Sequence, residues 1–193
     1  MAGGWWLVAA TRYPQNERTT MKFLIIVLLL TSPVFSQAPQ KPCSDERATQ
    51  FDFWVGEWEL TWPGGQAGTP EGKIGKGRNH ITKTLGGCTI EENFSTEDSS
   101  YIGRSWSVYN SQLEMWQQTW VDNSGAYLLF TGKYQADTME LRTALREQGD
   151  KKILSRMLFE NITPNGFDWN WQRSTDGGEN WTDLWNIRYS RKK

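Results

Sequence analysis

The chain reads as all-β, an antiparallel up-and-down barrel of about ten strands behind a short N-terminal helical turn, and three observations predict it. Turn signals recur near Gly86, Asp98, Ser111, Ser124, Ala136, Gly149, Asn165 and Gly177, at steps of 12 to 16 residues, which is the rhythm of a meander. Large rings recur at every second position in Trp116-Gln117-Gln118-Thr119-Trp120 and in Phe167-Asp168-Trp169-Asn170-Trp171, the period of a strand with one aromatic face. No long segment repeats its apolar residues at helical spacing, which removes an open sheet covered by a long helix. With Pro63-Gly64-Gly65 there are nine turns, hence ten strands of ordinary length. A long meander removes its edges by closing, and ten strands enclose more volume than side chains readily fill. A two-sheet sandwich with Greek-key crossings is the competing architecture, and the evenness of the turns weighs against it.

Residues 1–20 show no periodicity, and Met21 looks like the better start. Lys22, the apolar run Phe23 to Leu30, Thr31-Ser32-Pro33 and the small-residue pattern Val34-Phe35-Ser36 read as a signal peptide over 21–36, cut after Ser36. A cut after Ala38 would leave Pro39 beyond the scissile bond. A membrane anchor needs roughly 20 apolar residues and this run is far shorter. Cys43 lies too far from the run to suggest a lipid-modified N-terminus. The expected location is therefore secreted or periplasmic, with no integral membrane segment after cleavage. Removing 36 residues leaves 157 of the 193, one domain's worth: an extension over 37–50 and a barrel domain over 51–193. From residue 37 on, 18 Lys and Arg face 21 Asp and Glu, a net of −3 with the signs interspersed, which argues against nucleic acid or an anionic membrane as partner.

Cys43 and Cys88, in Leu85-Gly86-Gly87-Cys88, are the two cysteines, and an even count in an exported chain invites a disulfide. Closing a 45-residue loop stabilises a fold by roughly 4 kcal/mol in the chain-entropy model; two unpaired thiols are the alternative. Ser44 to Gln50 is short, polar and capped by Ser44, so one or two helical turns are expected there. In Phe51-Asp52-Phe53-Trp54-Val55-Gly56-Glu57-Trp58, Gly56 allows a tight turn and Trp58 supplies a ring to plug one barrel end. Ser174-Thr175-Asp176-Gly177-Gly178-Glu179-Asn180-Trp181 reads as a hairpin. Asp176 accepts backbone N–H groups, the glycine pair takes positive φ, and Trp181 packs beneath. The same eight residues fit a pattern repeated in sialidase-like propellers, but a propeller needs several copies and there is one.

On the FDFW-x-GEW opening, Gly87-Cys88 with Glu91-Glu92, Trp116-x-Gln118-x-Trp120-Val121-Asp122 and Trp169-x-Trp171-x-Arg173-Ser174-x-Asp176-Gly177-Gly178-x-x-Trp181, the chain resembles an uncharacterised bacterial family of exported proteins of the lipocalin-like, or calycin, class. The resemblance runs from Cys43 to the C-terminus. It implies a calycin barrel and no particular reaction. It also implies that a basic residue of the last strand covers Trp58, and Arg188 in Asn186-Ile187-Arg188-Tyr189 is the expected one. Such a cation–π contact contributes about 1 kcal/mol or more.

Ten tryptophans after residue 37 either fill a wide barrel or line a cavity for an apolar, aromatic or sugar ligand. If the aromatic faces point inward, Trp116, Trp120, Trp169 and Trp171 are walls, and Gln118, Asp122 and Arg173 are polar anchors. The alternative for those three is a hydrogen-bonded network that satisfies itself. No catalytic residue is assigned. Glu91 and Glu92 are neighbours on a strand and face opposite ways, so they do not form an acid–base pair on one substrate unaided. No cofactor or metal is expected from one histidine and two cysteines. His80, the one candidate for a haem ligand, lies in an ordinary strand pattern. The resemblance implies a bacterial source, in which the sequons at Asn93, Asn161 and Asn180 would be chance. The expected function is an exported barrel binding a small apolar or aromatic molecule. The alternatives are a hydrolase or isomerase using the same cavity, and a packed structural or interaction module.

Overall fold

The computed structural model describes residues 43–193; the proposed start at Met21 and the signal peptide over 21–36 lie outside them. Eleven strands follow one another as β1 (Gly56–Pro63), β2 (Ile74–Thr84), β3 (Thr89–Thr96), β4 (Ile102–Asn110), β5 (Met115–Asp122), β6 (Tyr127–Gln135), β7 (Thr138–Arg142), β8 (Arg146–Gln148), β9 (Lys151–Thr163), β10 (Gly166–Ser174) and β11 (Thr182–Arg191). Each of β1 to β6 pairs antiparallel with the next, β7 pairs with β9, β9 with β10, β10 with β11, and β11 returns to β1. The result is a closed antiparallel ten-stranded barrel of the lipocalin-like kind, with β8 added outside on β9. All nine expected turns fall between strands. The extra break, at residues 143–145, divides what the turn spacing reads as one strand.

Closure follows from the alternation in the sequence. In β1 every second residue is buried, Trp58, Leu60 and Trp62, while Glu59 and Thr61 point out. The same parity buries Ile90, Glu92 and Phe94 in β3 and Ile187 and Tyr189 in β11. Each strand offers one face to the interior, and only a closed sheet buries all of those faces at once.

The helical turn precedes β1 as a short 3-10 segment, Glu46–Thr49, capped by Asp45 rather than Ser44: the Asp45 carboxylate accepts the Arg47 N–H at 2.9 Å. A second 3-10 turn, Asp52–Trp54, carries rings into one end of the barrel. Phe51 lies 4.9 Å from Trp54, 5.3 Å from Trp116 and 5.0 Å from Phe159. The disulfide joins Cys43 to Cys88 with Cα atoms 5.2 Å apart. It ties this entry segment to the loop between β2 and β3.

Trp58 is buried at the same end. Its indole Nε1 donates to the Trp54 carbonyl at 2.7 Å, and the ring meets Phe167 edge-on at 5.1 Å. The cation above it is Arg191, 4.2 Å from the ring centroid, and not Arg188. Residues 187, 189 and 191 share the inward face of β11, so Arg188 points outward and donates to Asp168 at 2.9 Å. Trp58 and Arg191 are direct partners across the β1–β11 ladder. Gly56 has φ 136, and a Cβ there would strike the Arg191 guanidinium. The Gly-x-Trp opening and the terminal arginine are thus one unit, sealed by Arg191 donating to the Val55 carbonyl at 3.1 Å.

Candidate functional site

The other half of the interior is not filled. A cavity of about 140 Å³ is walled by Phe94, Tyr101, Trp120, Trp169, Trp171 and Trp185, with Leu128, Phe130, Met157 and Ile187 between the rings. Trp169 and Trp171 lie near-parallel with centroids 6.5 Å apart, and Trp185 meets Trp169 edge-on at 5.9 Å. These rings come from β3, the β3–β4 turn, β5, β10 and β11, brought together only by closure. Trp120 fits because Gly103 faces it from β4; a Cβ at Gly103 would occupy the indole's place.

Trp54, Tyr189 and Glu92 also line the cavity. Glu92 is buried, and both of its oxygens are engaged. Asn79 Nδ2 donates to Oε1 at 2.6 Å, and the Ser105 hydroxyl donates to Oε2 at 2.6 Å. Asn79 Nδ2 also donates to the Tyr189 hydroxyl at 3.0 Å. Burial pushes the Glu92 carboxyl up to about 7, partly opposed by the Ser105 and Asn79 hydrogen bonds and by the charge of Arg104. The Tyr189 hydroxyl is held far above its ordinary range by burial first and by the Glu92 charge second. A carboxyl that titrates near neutrality beside an apolar cavity either holds a proton or offers a charge there. Trp185 Nε1 is a buried donor with no partner among the described residues.

The sequence-derived site residues divide three ways. Trp120, Trp169 and Trp171 do line the cavity. Asp122 stands behind the wall, accepting from Tyr101 Oη at 2.8 Å and Trp120 Nε1 at 2.8 Å. Burial raises its pKa, but hydrogen bonds from Ser124, Trp120 and Tyr101 outweigh that and hold the carboxyl well below its usual range. It therefore stays charged and braces two rings.

Trp116, Gln118 and Arg173 are elsewhere. Trp116 is part of the plug beside Phe51 and Tyr109. Gln118 is buried and donates to Ser107 Oγ at 2.9 Å, satisfying itself internally. Arg173 is exposed, because a register shift between Trp171 and Gln172 in the pairing with β11 ends the alternation that would have carried it inward. Asp176 and Trp181 form the expected hairpin. Asp176 accepts from the Glu179 and Asn180 N–H groups, Gly177 and Gly178 have φ 85 and 98, and Trp181 Nε1 donates to the Gly178 carbonyl. Arg156 lies 4.0 Å from the Trp181 ring centroid.

Glu92 is the site residue that sequence reasoning passed over. The signal available was a polar residue at an inward position on each of three neighbouring strands: Asn79 on β2, Glu92 on β3, Ser105 on β4. Register aligns Asn79 with Phe94 and Glu92 with Ser105, which stacks the three side by side.

A larger depression of about 790 Å³ lies on the outer face of β1 to β4 and carries Glu57, Glu59, Lys76, Arg78, His80 and Lys192. His80 is exposed there. Lys192 pairs there with Glu57 at 2.9 Å, and the lining mixes charged with apolar residues. The ring-walled cavity, lined almost wholly by apolar and aromatic side chains, is the better candidate site. Among the described residues no group of His, Cys, Asp and Glu is arranged to hold a metal ion, and no helix is long and apolar enough to cross a membrane. Comparison of the chain with protein-family models and with curated proteins finds no match.

Proposed function

We propose that this barrel is an exported binder of a small, largely apolar ligand about the size of one aromatic ring, held in the interior cavity. The observation that carries the reading is the ring-walled space of about 140 Å³ with a few polar groups at its base. An apolar cavity of about 150 Å³ is enough to take up benzene, and apolar walls with few oriented polar groups are the usual composition of a ligand site. The same space weighs against a fully packed module. Export is supported by the signal-like run after Met21 and by the disulfide, which suits an oxidising compartment. The resemblance to the exported calycin-class family belongs to the same proposal.

Acid–base catalysis in the same cavity is a second reading, and Glu92 is what favours it: a carboxyl titrating near 7 is suited to move a proton at neutral pH. The isomerase or hydrolase alternative would run through Glu92. Native mass spectrometry of protein purified from its own host separates the binder from a packed module. A retained small mass, lost in Trp171→Arg, supports the binder. Bare protein that takes up no aromatic probe supports the packed module.

A further inference from the structure

We propose that the cavity takes a small organic ammonium ion, its apolar part among the rings and its charged nitrogen against Glu92; this rests on the binding reading above. Three features of the lining point to a cation. Glu92 is the one residue of the lining with an anionic side chain, and no basic side chain lines the cavity. Its oxygens are fixed by Asn79 and Ser105, and each keeps a lone pair free, so a nitrogen donor finds a preset acceptor. The walls present indole and phenyl faces, whose quadrupoles attract a desolvated cation.

The groups facing Glu92 fit the same reading. From β2 comes the neutral Asn79, and from β4 comes Ser105, with Arg104 as the neighbouring positive charge. From β11 comes Tyr189, kept neutral by burial and by Glu92 itself. Tyr101 is also neutral, its pKa raised by burial and by its bond to Asp122. Without a cation the buried charge is poorly compensated, which is why the carboxyl is pushed up to about 7; an ammonium supplies what is missing. One observation points the other way. The unpartnered Trp185 Nε1 favours an acceptor atom on the ligand, so a neutral ligand with a hydroxyl is the competitor to test.

Calorimetric titration of the exported protein with benzylamine, tetramethylammonium and benzyl alcohol at pH 6 and pH 8 decides it. Benzylamine stays protonated across that range, as a lysine side chain does. The expected result is that an ammonium probe binds about tenfold or more tightly than benzyl alcohol at pH 8 and tightens from pH 6 to pH 8 as Glu92 loses its proton. Glu92→Gln should weaken benzylamine more than benzyl alcohol and flatten the pH dependence. If that variant does not fold, the pH trend of the unaltered protein decides alone. Tighter binding of the alcohol than of both ammonium probes, or ammonium affinity that falls with rising pH, overturns the ammonium assignment and leaves the cavity as a binding site. If no probe binds at either pH, the binding reading fails and the ammonium goes with it.

Discussion

Where the chain enters the barrel, Trp54, Trp58 and Trp116 are each at most 2% exposed; towards the opposite end, Trp120, Trp169, Trp171 and Trp185 remain partly exposed around a cavity. The residue type is the same, and so is the inward parity. What differs is the chain outside the sheet. The first end is covered by the 3-10 turns, whose Phe51, Phe53 and Trp54 interlock with Phe159 and Phe167, and the disulfide holds that cover in place. Among the described residues the second end receives no such ring-bearing segment. A ten-stranded barrel is too wide for its own side chains to fill, so rings pack where a plug is supplied and line a space where none is.

Truncating one ring at each end gives the largest expected contrast. Trp58→Ala removes a fully buried indole from among Phe167, Tyr189 and Arg191 and should cost about 3 to 5 kcal/mol. Trp171→Ala widens a space that already exists and should cost about 1 to 2 kcal/mol of lost apolar burial, while weakening any aromatic probe. Urea unfolding of both variants checks this. Equal losses would mean the cavity wall is as tightly supported as the plug, and the contrast between the ends would fail.

The strands, their closure and the buried plug were legible because alternation and turn chemistry are local signals. The contacts between strands were not. Trp120, Trp169 and Trp171 were found because a ring at every second position declares a face. Arg173 shares that parity on paper, but a register shift is not visible in one strand's sequence. Glu92 was hidden for a related reason. Parity puts one member of the Glu91-Glu92 pair inside, but what makes it a site is its alignment with Asn79 and Ser105 on two other strands.

A pH titration of stability sharpens the comparison from the cavity side. Glu92 has a folded pKa of about 7, above the unfolded value of about 4.3. The folded state therefore holds its proton to higher pH, and stability is full below the unfolded pKa and falls as pH rises through 7. The loss is of the order of 3 kcal/mol by pH 8. Glu92→Gln should remove most of that slope and be the more stable protein at pH 8, measured by urea unfolding at pH 5 and pH 8. An unchanged slope would mean that Glu92 is not the titrating group.

The smallest expected effect tests how the plugged end is sealed. Arg191 and Arg188 are three residues apart on β11, but one covers Trp58 and the other pairs with Asp168 on the outer surface. Parity alone decides between them, since 187, 189 and 191 face in. Arg191→Gln gives up a partly desolvated cation–π contact, worth about 1 to 2 kcal/mol, together with its bonds to the Val55 and Pro164 carbonyls. Arg188→Gln removes an exposed ion pair, a change of about 0 to 1 kcal/mol. A double-mutant cycle with Trp58→Phe separates them: Arg191 should couple to the ring by more than about 0.5 kcal/mol and Arg188 should be additive. Coupling at Arg188 and additivity at Arg191 would reverse the inward and outward faces of β11. Trp185 and Ile187 would then leave the cavity wall, so this small difference at the closed end also tests the geometry of the open one.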